Sequence, residues 1–404
     1  MKICILAPEF LPVWGGVGTY IVELVRHLPK DIEVHVMTPK REGFGREKLS
    51  SDYDLSEYFG DNIHVHFICK ADDTFIYNAK FQIACLKNVP RLLKEEDIDL
   101  IHCGTHMRPL LLELRKITVP TVTTIHTTIS GQRHGTKMSQ TNFWDLEFSE
   151  KATYLTYPFL LLAENIYFSR VRYYITVSEW MKRQLQKQYP KISQSPIFVI
   201  HNSVDTKLFS PNIERKPLEG ERTGNLVLFT GRMIAAKGIK YLVEAVPKVV
   251  REYPETFFVF IGAGNSLPYK RRLKEAGVSE RNFAFLGYLK ERSELIEYYR
   301  ASSVYLAPTL YENLPIRVLE AMACRIPVVA SNVCALPEVI DNGVNGILIP
   351  PGSVDKLVNA ICCLLSDSNL RSKMGENARK TILKKFNWDV NAIRTVQVYR
   401  KILE

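Results

Sequence analysis

The sequence predicts an α/β protein made of two doubly wound parallel sheets, and three observations carry that reading. Short Val/Ile/Leu runs alternate with longer segments of helical period, the pattern of buried parallel strands joined by crossover helices. The alternation occurs twice, on either side of a polar, proline-containing stretch from Ser210 to Gly224 that has no clear periodicity. The chain, at 404 residues, is too long for one ordinary core and fits two domains of about 200 residues each.

In the first half the strand signals fall at Lys2–Ala7, Glu33–Thr38, His64–Ile68, Leu100–Cys103, Thr121–Ile125 and Tyr174–Val177, with helices in most of the gaps. Ile197–Ile200 leads into His201-Asn202-Ser203-Val204-Asp205, and the hinge is expected just beyond. The second half restarts with Leu226–Thr230, Phe257–Ile261, Phe283–Leu286, Val304–Ala307, Val328–Ala330 and Gly346–Ile349, separated by helical stretches such as Ile239–Arg251. The expected division is 1–205 and 206–385, with 386–404 closing the chain as a helix. No repeat of fixed period is visible, so the halves read as analogous Rossmann-like folds and not as copies.

Composition narrows the function classes. Hydrophobic residues at 46% and charged residues at 24% are ordinary globular usage, and no apolar run reaches the roughly 20 residues of a spanning helix. The longest candidate, Tyr154 to Ala163, is interrupted by Thr156 and Pro158, and the apolar start at Met1 runs straight into a glycine loop. A soluble, cytoplasmic chain is expected. The cysteines at 4, 69, 85, 103, 324, 334, 362 and 363 form no C-x-x-C pair and read as reduced thiols. The net charge of +10 suits anionic ligands or an acidic membrane surface, but it is spread along the chain without a nucleic-acid motif, and no nucleic-acid partner is expected.

Four motifs carry chemistry. Pro12-Val13-Trp14-Gly15-Gly16-Val17-Gly18 follows the first strand and precedes an apolar helix, so glycine can bring backbone amides close to a phosphate; a tight strand-to-helix turn explains the same residues. A dinucleotide fingerprint is not completed, because Ile21 stands where Gly or Ala belongs and the second strand ends in Thr38-Pro39. The turn Gly262-Ala263-Gly264 is followed by Leu267, and G-x-x-x-x-G-K-[ST] is absent, so a P-loop is disfavoured as well. Gly231-Arg232-Met233-Ile234-Ala235-Ala236-Lys237-Gly238 ends a strand and opens a helix, placing two cations where a parallel sheet binds ligands. An Arg fork and a compact Lys charge suit a leaving diphosphate.

Finally, Tyr311-Glu312-Asn313-Leu314-Pro315-Ile316-Arg317-Val318-Leu319-Glu320 puts an acid at a strand end, Pro315 in the first helical turn and a second acid eight positions on. The amides at that helix start can hold phosphate or sugar hydroxyls, and Glu320 can reach another part of the same ligand. The two carboxylates are equally compatible with a helix cap and a solvated or paired helix acid.

With these residues in view the chain resembles the family 4 retaining glycosyltransferases of the GT-B type (glycosyl transferases group 1), whose signatures include a glycine loop, G-R-x(4)-K-G and E-x(7)-E. The match continues through Thr124-Ile125-His126, Val177-Ser178, Asn202-Ser203-Val204-Asp205 and Phe386-Asn387-Trp388. The resemblance implies two Rossmann-like domains facing each other across a donor cleft, with the C-terminal helix crossing back to the N-terminal domain. It implies transfer of a sugar from a UDP-, GDP- or ADP-sugar to an acceptor hydroxyl on a sugar, polysaccharide or lipid-linked glycan, with the anomeric configuration kept. No cofactor and no essential metal are implied.

Residue by residue, the resemblance puts Gly16, beside Gly15, against the donor diphosphate, and Arg232 and Lys237 on it. Glu312 contacts the donor sugar, Asn313, Leu314, Pro315 and the Ile316 backbone line the sugar–phosphate region, and Glu320 holds the ribose. Leu286, in Phe285-Leu286-Gly287-Tyr288-Leu289, lines the base pocket with Gly262 and Gly264 beside it. His126 stands near the donor sugar and the attacking acceptor, whereas His102 and His106 read as structural. Catalysis is assigned to His126, Arg232, Lys237 and Glu312. Two departures matter: Asn313-Leu314-Pro315 replaces the Gly-Phe-Gly of many relatives, and Val13-Trp14 replaces the lysine of polyglucan synthases. Asp52-Tyr53-Asp54 and Asp97-Ile98-Asp99 are read as surface acids, not metal ligands.

The acceptor is expected against the first half, where Lys40–Lys48 and Ile129–Gln140 read as irregular basic loops offering Arg133, His134 and Lys137. Such loops would also suit peripheral contact with a membrane. The competing readings are a nucleotide-sugar epimerase of the same architecture and an inactive nucleotide-sugar-binding scaffold; the complete acid and cation set favours transfer.

Overall fold

The computed structural model describes residues 1–11, 15–40, 43–44, 47–48, 55–70, 77–105, 111–112, 115, 117–211, 224–289 and 291–404. Pro12–Trp14, His106, Asp52–Asp54, much of the Lys40–Lys48 loop and most of the 210–224 stretch therefore lie outside the described residues. The chain divides into two compact units: 1–129 with 158–203 and 388–404, and 130–157 with 204–387.

The first unit holds a seven-stranded sheet of β1 (Lys2–Leu6), β2 (Glu33–Lys40), β3 (Ile63–Lys70), β4 (Leu100–Cys103), β5 (Thr121–Ile125), β6 (Tyr173–Thr176) and β7 (Ile197–Val199). Its order is β3-β2-β1-β4-β5-β6-β7, and every recorded neighbour pair is parallel. The order reverses beside β1, so the loop after β1 opens at a topological switch point, where open α/β sheets bind ligands. Ile3 to Leu6 are fully buried, as a central strand covered on both faces requires.

The second unit repeats the plan with six strands: β8 (Leu226–Thr230), β9 (Phe257–Ile261), β10 (Phe283–Gly287), β11 (Val304–Ala307), β12 (Val328–Ser331) and β13 (Gly346–Ile349). The order is β10-β9-β8-β11-β12-β13, again parallel. The helix Ile239–Glu252 shows why this sequence folds so. Ile239, Leu242, Val243, Val246 and Val249 recur at helical spacing, and all are buried against the sheet core. Each such side chain contributes about 1.5–3 kcal/mol of transfer free energy.

Two segments differ from the expected layout. Residues 130–157 join the second unit, although they precede the 205/206 boundary. The stretch expected to be irregular is also a helix, Ile129–Met138. Its glycines let it approach Tyr311: an added Cβ would lie 1.8 Å from Tyr311 Oη at Gly131 and 2.6 Å from Tyr311 Cβ at Gly135. The last helix, Trp388–Leu403, belongs to the first unit, as the resemblance implies. There Trp388 lies 5.5 Å from the Tyr20 ring, and Asn391 donates to Ser203 Oγ at 2.6 Å.

Candidate functional site

In the second unit the ends of β8, β9 and β10 are fastened together by backbone hydrogen bonds. Gly231 N–H donates to Ile261 O at 2.8 Å, Met233 N–H to Ala263 O at 2.8 Å, and Gly262 N–H to Gly287 O at 2.7 Å. Glycine is required for the closeness: Gly262 has φ 146°, and a Cβ there would sit 2.0 Å from Gly231 O. At Gly264 a Cβ would meet Met233 Cβ at 2.9 Å. The Gly262–Gly264 turn is thus the seat on which the Arg232 loop rests.

From that seat the chain makes a short 3₁₀ turn, Ala235–Lys237, and leaves it through Gly238 at φ 72°. Leu310 N–H and Thr309 Oγ1 both donate to Ala236 O, at 2.9 and 3.1 Å, joining this turn to the segment that follows β11. The result is an ion pair in which Lys237 Nζ donates to Glu312 Oε2. Burial pushes the Lys237 ammonium below its ordinary value, Glu312 opposes that, and the nearby Arg317 and Arg232 charges reinforce it. Arg317 Nη1 lies 3.2 Å from where a Gly231 Cβ would stand, which places a third cationic group beside Arg232 and Lys237.

Glu320 sits in the helix Ile316–Ala323 and is only 5% exposed, so it is not a solvated acid. Its Oε2 accepts from Tyr299 Oη at 2.9 Å, and its Oε1 lies 3.9 Å from Arg292 Nη2. Behind it, Thr230 Oγ1 stands 2.9 Å from both Tyr299 Oη and Tyr305 Oη. Burial foremost, and then the Glu320 charge, push the Tyr299 phenol well above its ordinary value, so it stays a donor. Pro315 is the residue before the helix, with ψ 122°, and not part of its first turn; its carbonyl accepts from Val318 N–H at 3.1 Å. Asn313 and Leu314 are buried beside it, and Leu286 is 36% exposed near the end of β10.

The helix Ile129–Met138 carries the three residues expected to meet an acceptor. His134 and Lys137 are exposed, and the His134 ring lies 6.3 Å from that of Tyr311. Arg133 is half-buried, its guanidinium 4.0 Å from the Tyr157 ring centroid and 5.1 Å from that of Tyr154. Its charge therefore faces aromatic rings of its own unit.

The first unit positions the remaining candidates. Gly15 precedes the helix Gly16–His27 directly, and a Cβ on Gly15 would meet Glu9 Oε2 at 2.6 Å. Among the described residues a Cβ on Gly16 would meet nothing within 4 Å. His126 follows β5, its ring 4.6 Å from and edge-on to that of Tyr20. His102 is fully buried between Tyr399 Oη at 2.6 Å and Thr124 Oγ1 at 2.7 Å, the structural role its sequence context suggests. Asp99 accepts from Lys2 N–H at 2.8 Å, a local structural bond.

Sequence reasoning missed Tyr299, Thr230, Arg292 and Arg317. Arg317 stood inside the two-acid motif and was legible as a charge one residue into the helix. Tyr299 and Arg292 lie on the separate helix Arg292–Ala301, and only the fold brings them to Glu320.

Comparison with known proteins agrees with this architecture. Residues 14–208 match the family described as Glycosyltransferase Family 4, and residues 212–381 match Glycosyl transferases group 1. An uncharacterized glycosyltransferase of Methanocaldococcus jannaschii is 27% identical, the alignment covering 100% of this chain and 99% of the relative. Among solved structures, sucrose-phosphate synthase from Thermosynechococcus elongatus superposes with a TM-score of 0.75 at 19% identity, covering 99% of this chain and 98% of that one. HepE of Anabaena, solved in complex with UDP-glucose, superposes with a TM-score of 0.71 at 17% identity, covering 99% and 100%. The two sheets, the ordered motifs and the two family matches together make this chain a GT-B glycosyltransferase of family 4, in the group 1 class.

Proposed function

We propose that this glycosyltransferase takes its sugar from a nucleotide-diphosphate donor and keeps the anomeric configuration in the product. The observation that carries the reading is the gathering of Arg232 and Arg317 beside the Lys237–Glu312 ion pair at the strand ends of the second unit. A diphosphate gains negative charge as the glycosidic bond breaks, and fixed cations already in place stabilise that charge without reorganising. Arg232 and Lys237 serve the diphosphate, with Arg317 beside them. Glu312 accepts hydrogen bonds from sugar hydroxyls, and Glu320, held by Tyr299, accepts from the ribose. The Asn313, Leu314, Pro315 and Ile316 backbone lines the sugar–phosphate region, Leu286 with Gly262 and Gly264 the base, and Gly15 and Gly16 present helix-start amides. His126 acts beside the reacting sugar.

The cations perform the work a metal does in other architectures, so transfer is metal-independent in this reading. A uridine diphosphate sugar is the first donor to try, because the related HepE structures were solved with UDP and UDP-glucose. The acceptor hydroxyl belongs to a sugar, polysaccharide or lipid-linked glycan. Peripheral membrane contact is supported by Phe159 and Leu162, which are 76% and 59% exposed on the helix Tyr157–Phe168. Among the described residues no helix is long and apolar enough to cross a membrane.

The test is a thermal-shift panel of UDP, GDP and ADP and their sugars, followed by transfer assays with chelator present. One nucleotide should raise the melting temperature selectively. Lys237→Ala should lower kcat/KM about 10²- to 10³-fold, as expected for loss of a preorganised charge partner. A flat panel at saturating nucleotide, or a folded Lys237→Ala enzyme with parent-like turnover, overturns the proposal.

A further inference from the structure

Toward the amino-terminal ends of β2 and β3, away from the carboxyl-terminal strand ends that Gly16 and His126 follow, lies a cluster that the transfer reaction does not use. Glu33 and His35 alternate on β2, His64 and His66 alternate on β3, and His35 is registered directly beside His64. Strand period 2 therefore puts all four side chains on one face of the sheet. His35 Nε2 lies 3.2 Å and His64 Nε2 3.5 Å from Glu33 Oε1, and one atom from each of these three residues falls within 4.8 Å of the others.

We infer that Glu33, His35 and His64 form a binding site for a first-row transition-metal dication, with Zn²⁺ the reference ion. Bonds of about 2.0–2.1 Å in a tetrahedron place ligand atoms about 3.3 Å apart, close to the two recorded separations. Two imidazoles and a carboxylate are a donor set suited to zinc, and cobalt, nickel and copper accept the same ligands. The surroundings fit. Lys2 Nζ sits 3.3 Å from Glu33 Oε2, which leaves Oε1 for the ion. His35 Nδ1 lies 3.1 Å from His66 Nε2, so an Nδ1–H tautomer donates there and turns the Nε2 lone pair to the ion. Glu96 Oε2, 4.0 Å from His35 Nε2, is at hand as a further oxygen, and it also lies 3.7 Å from Lys2 Nζ. His35 is buried while the His64 side chain is 44% exposed, so the site has a rigid inner ligand and an entry side.

Full-length protein stripped with chelator and dialysed should be titrated with Zn²⁺ by calorimetry and with Co²⁺ by visible absorption. One equivalent should bind, with the intense d–d bands of four-coordinate cobalt, and saturating Zn²⁺ should raise the melting temperature. His64→Ala, at an exposed position, and Glu33→Gln should each weaken binding by about tenfold or more. His134→Ala, in the other unit, should leave it unchanged. Absence of stoichiometric binding, or equal affinity in His64→Ala and the parent, overturns the inference. Nucleotide-induced stabilisation is read separately and does not bear on it.

Discussion

At the scale of single residues, the site shows how a buried charge is kept useful. Glu320 is removed from solvent, and its partners include the Tyr299 hydroxyl and, at longer range, Arg292. Removing a buried partner costs the stranded acceptor about 1–3 kcal/mol. Tyr299→Phe should therefore raise the donor KM about tenfold while altering kcat less, because the hydroxyl orients Glu320 and does not touch the reacting atoms. Steady-state kinetics against the donor sorts the two parameters; a fall in kcat at constant KM would place Tyr299 elsewhere in the cycle. The sequence made the two acids and two cations visible through spacing. It could not announce Tyr299, since a tyrosine on an ordinary amphipathic helix carries no signal of what its hydroxyl meets.

At the scale of elements, the helix Ile129–Met138 is the instructive case. Glycine in a helix interior ordinarily costs about 0.5–1 kcal/mol relative to alanine, so Gly131 and Gly135 weaken the local case for a helix. Here they form a notch one turn apart that receives Tyr311, the residue before Glu312. Gly135→Ala should therefore destabilise the protein by about 1–3 kcal/mol, the cost of overpacking, instead of stabilising it. The midpoint of chemical denaturation decides the sign, and an upward shift would show that the notch has room to spare. The strands fared differently. Apolar runs such as Leu226–Thr230 need no partner to be recognised, and β4, β5, β8, β9, β11 and β13 begin and end where the residue pattern predicts.

At the scale of the molecule, the chain returns from the second unit to finish the first, and a buried histidine records that return. His102 on β4 is hydrogen-bonded to Tyr399 of the last helix. Burial lowers its pKa from 6.5 to about 3, so the folded state holds it neutral where the unfolded chain would take up a proton. Its contribution is complete above the unfolded value and is lost as pH falls toward the folded one. Lowering the pH from 7 to 5 should cost about 2 kcal/mol through this residue, and His102→Gln should flatten that dependence. Denaturant titrations of both proteins across this range supply the check, parallel curves being the contrary result.

Hydrophobic period and local spacing are properties of neighbouring residues, so the two parallel sheets, the ordered motifs and the charged residues of the site were all readable along the chain. Which of those groups meet was left to the folded arrangement. Arg317 stands beside the Arg232 loop, Tyr299 holds Glu320, and Tyr311 packs on a glycine notch from a helix far earlier in the chain. The Glu33, His35 and His64 cluster exists only because β2 and β3 pair in one register. Register and crossover are set by how whole faces bury, and no local pattern encodes the partner across a sheet.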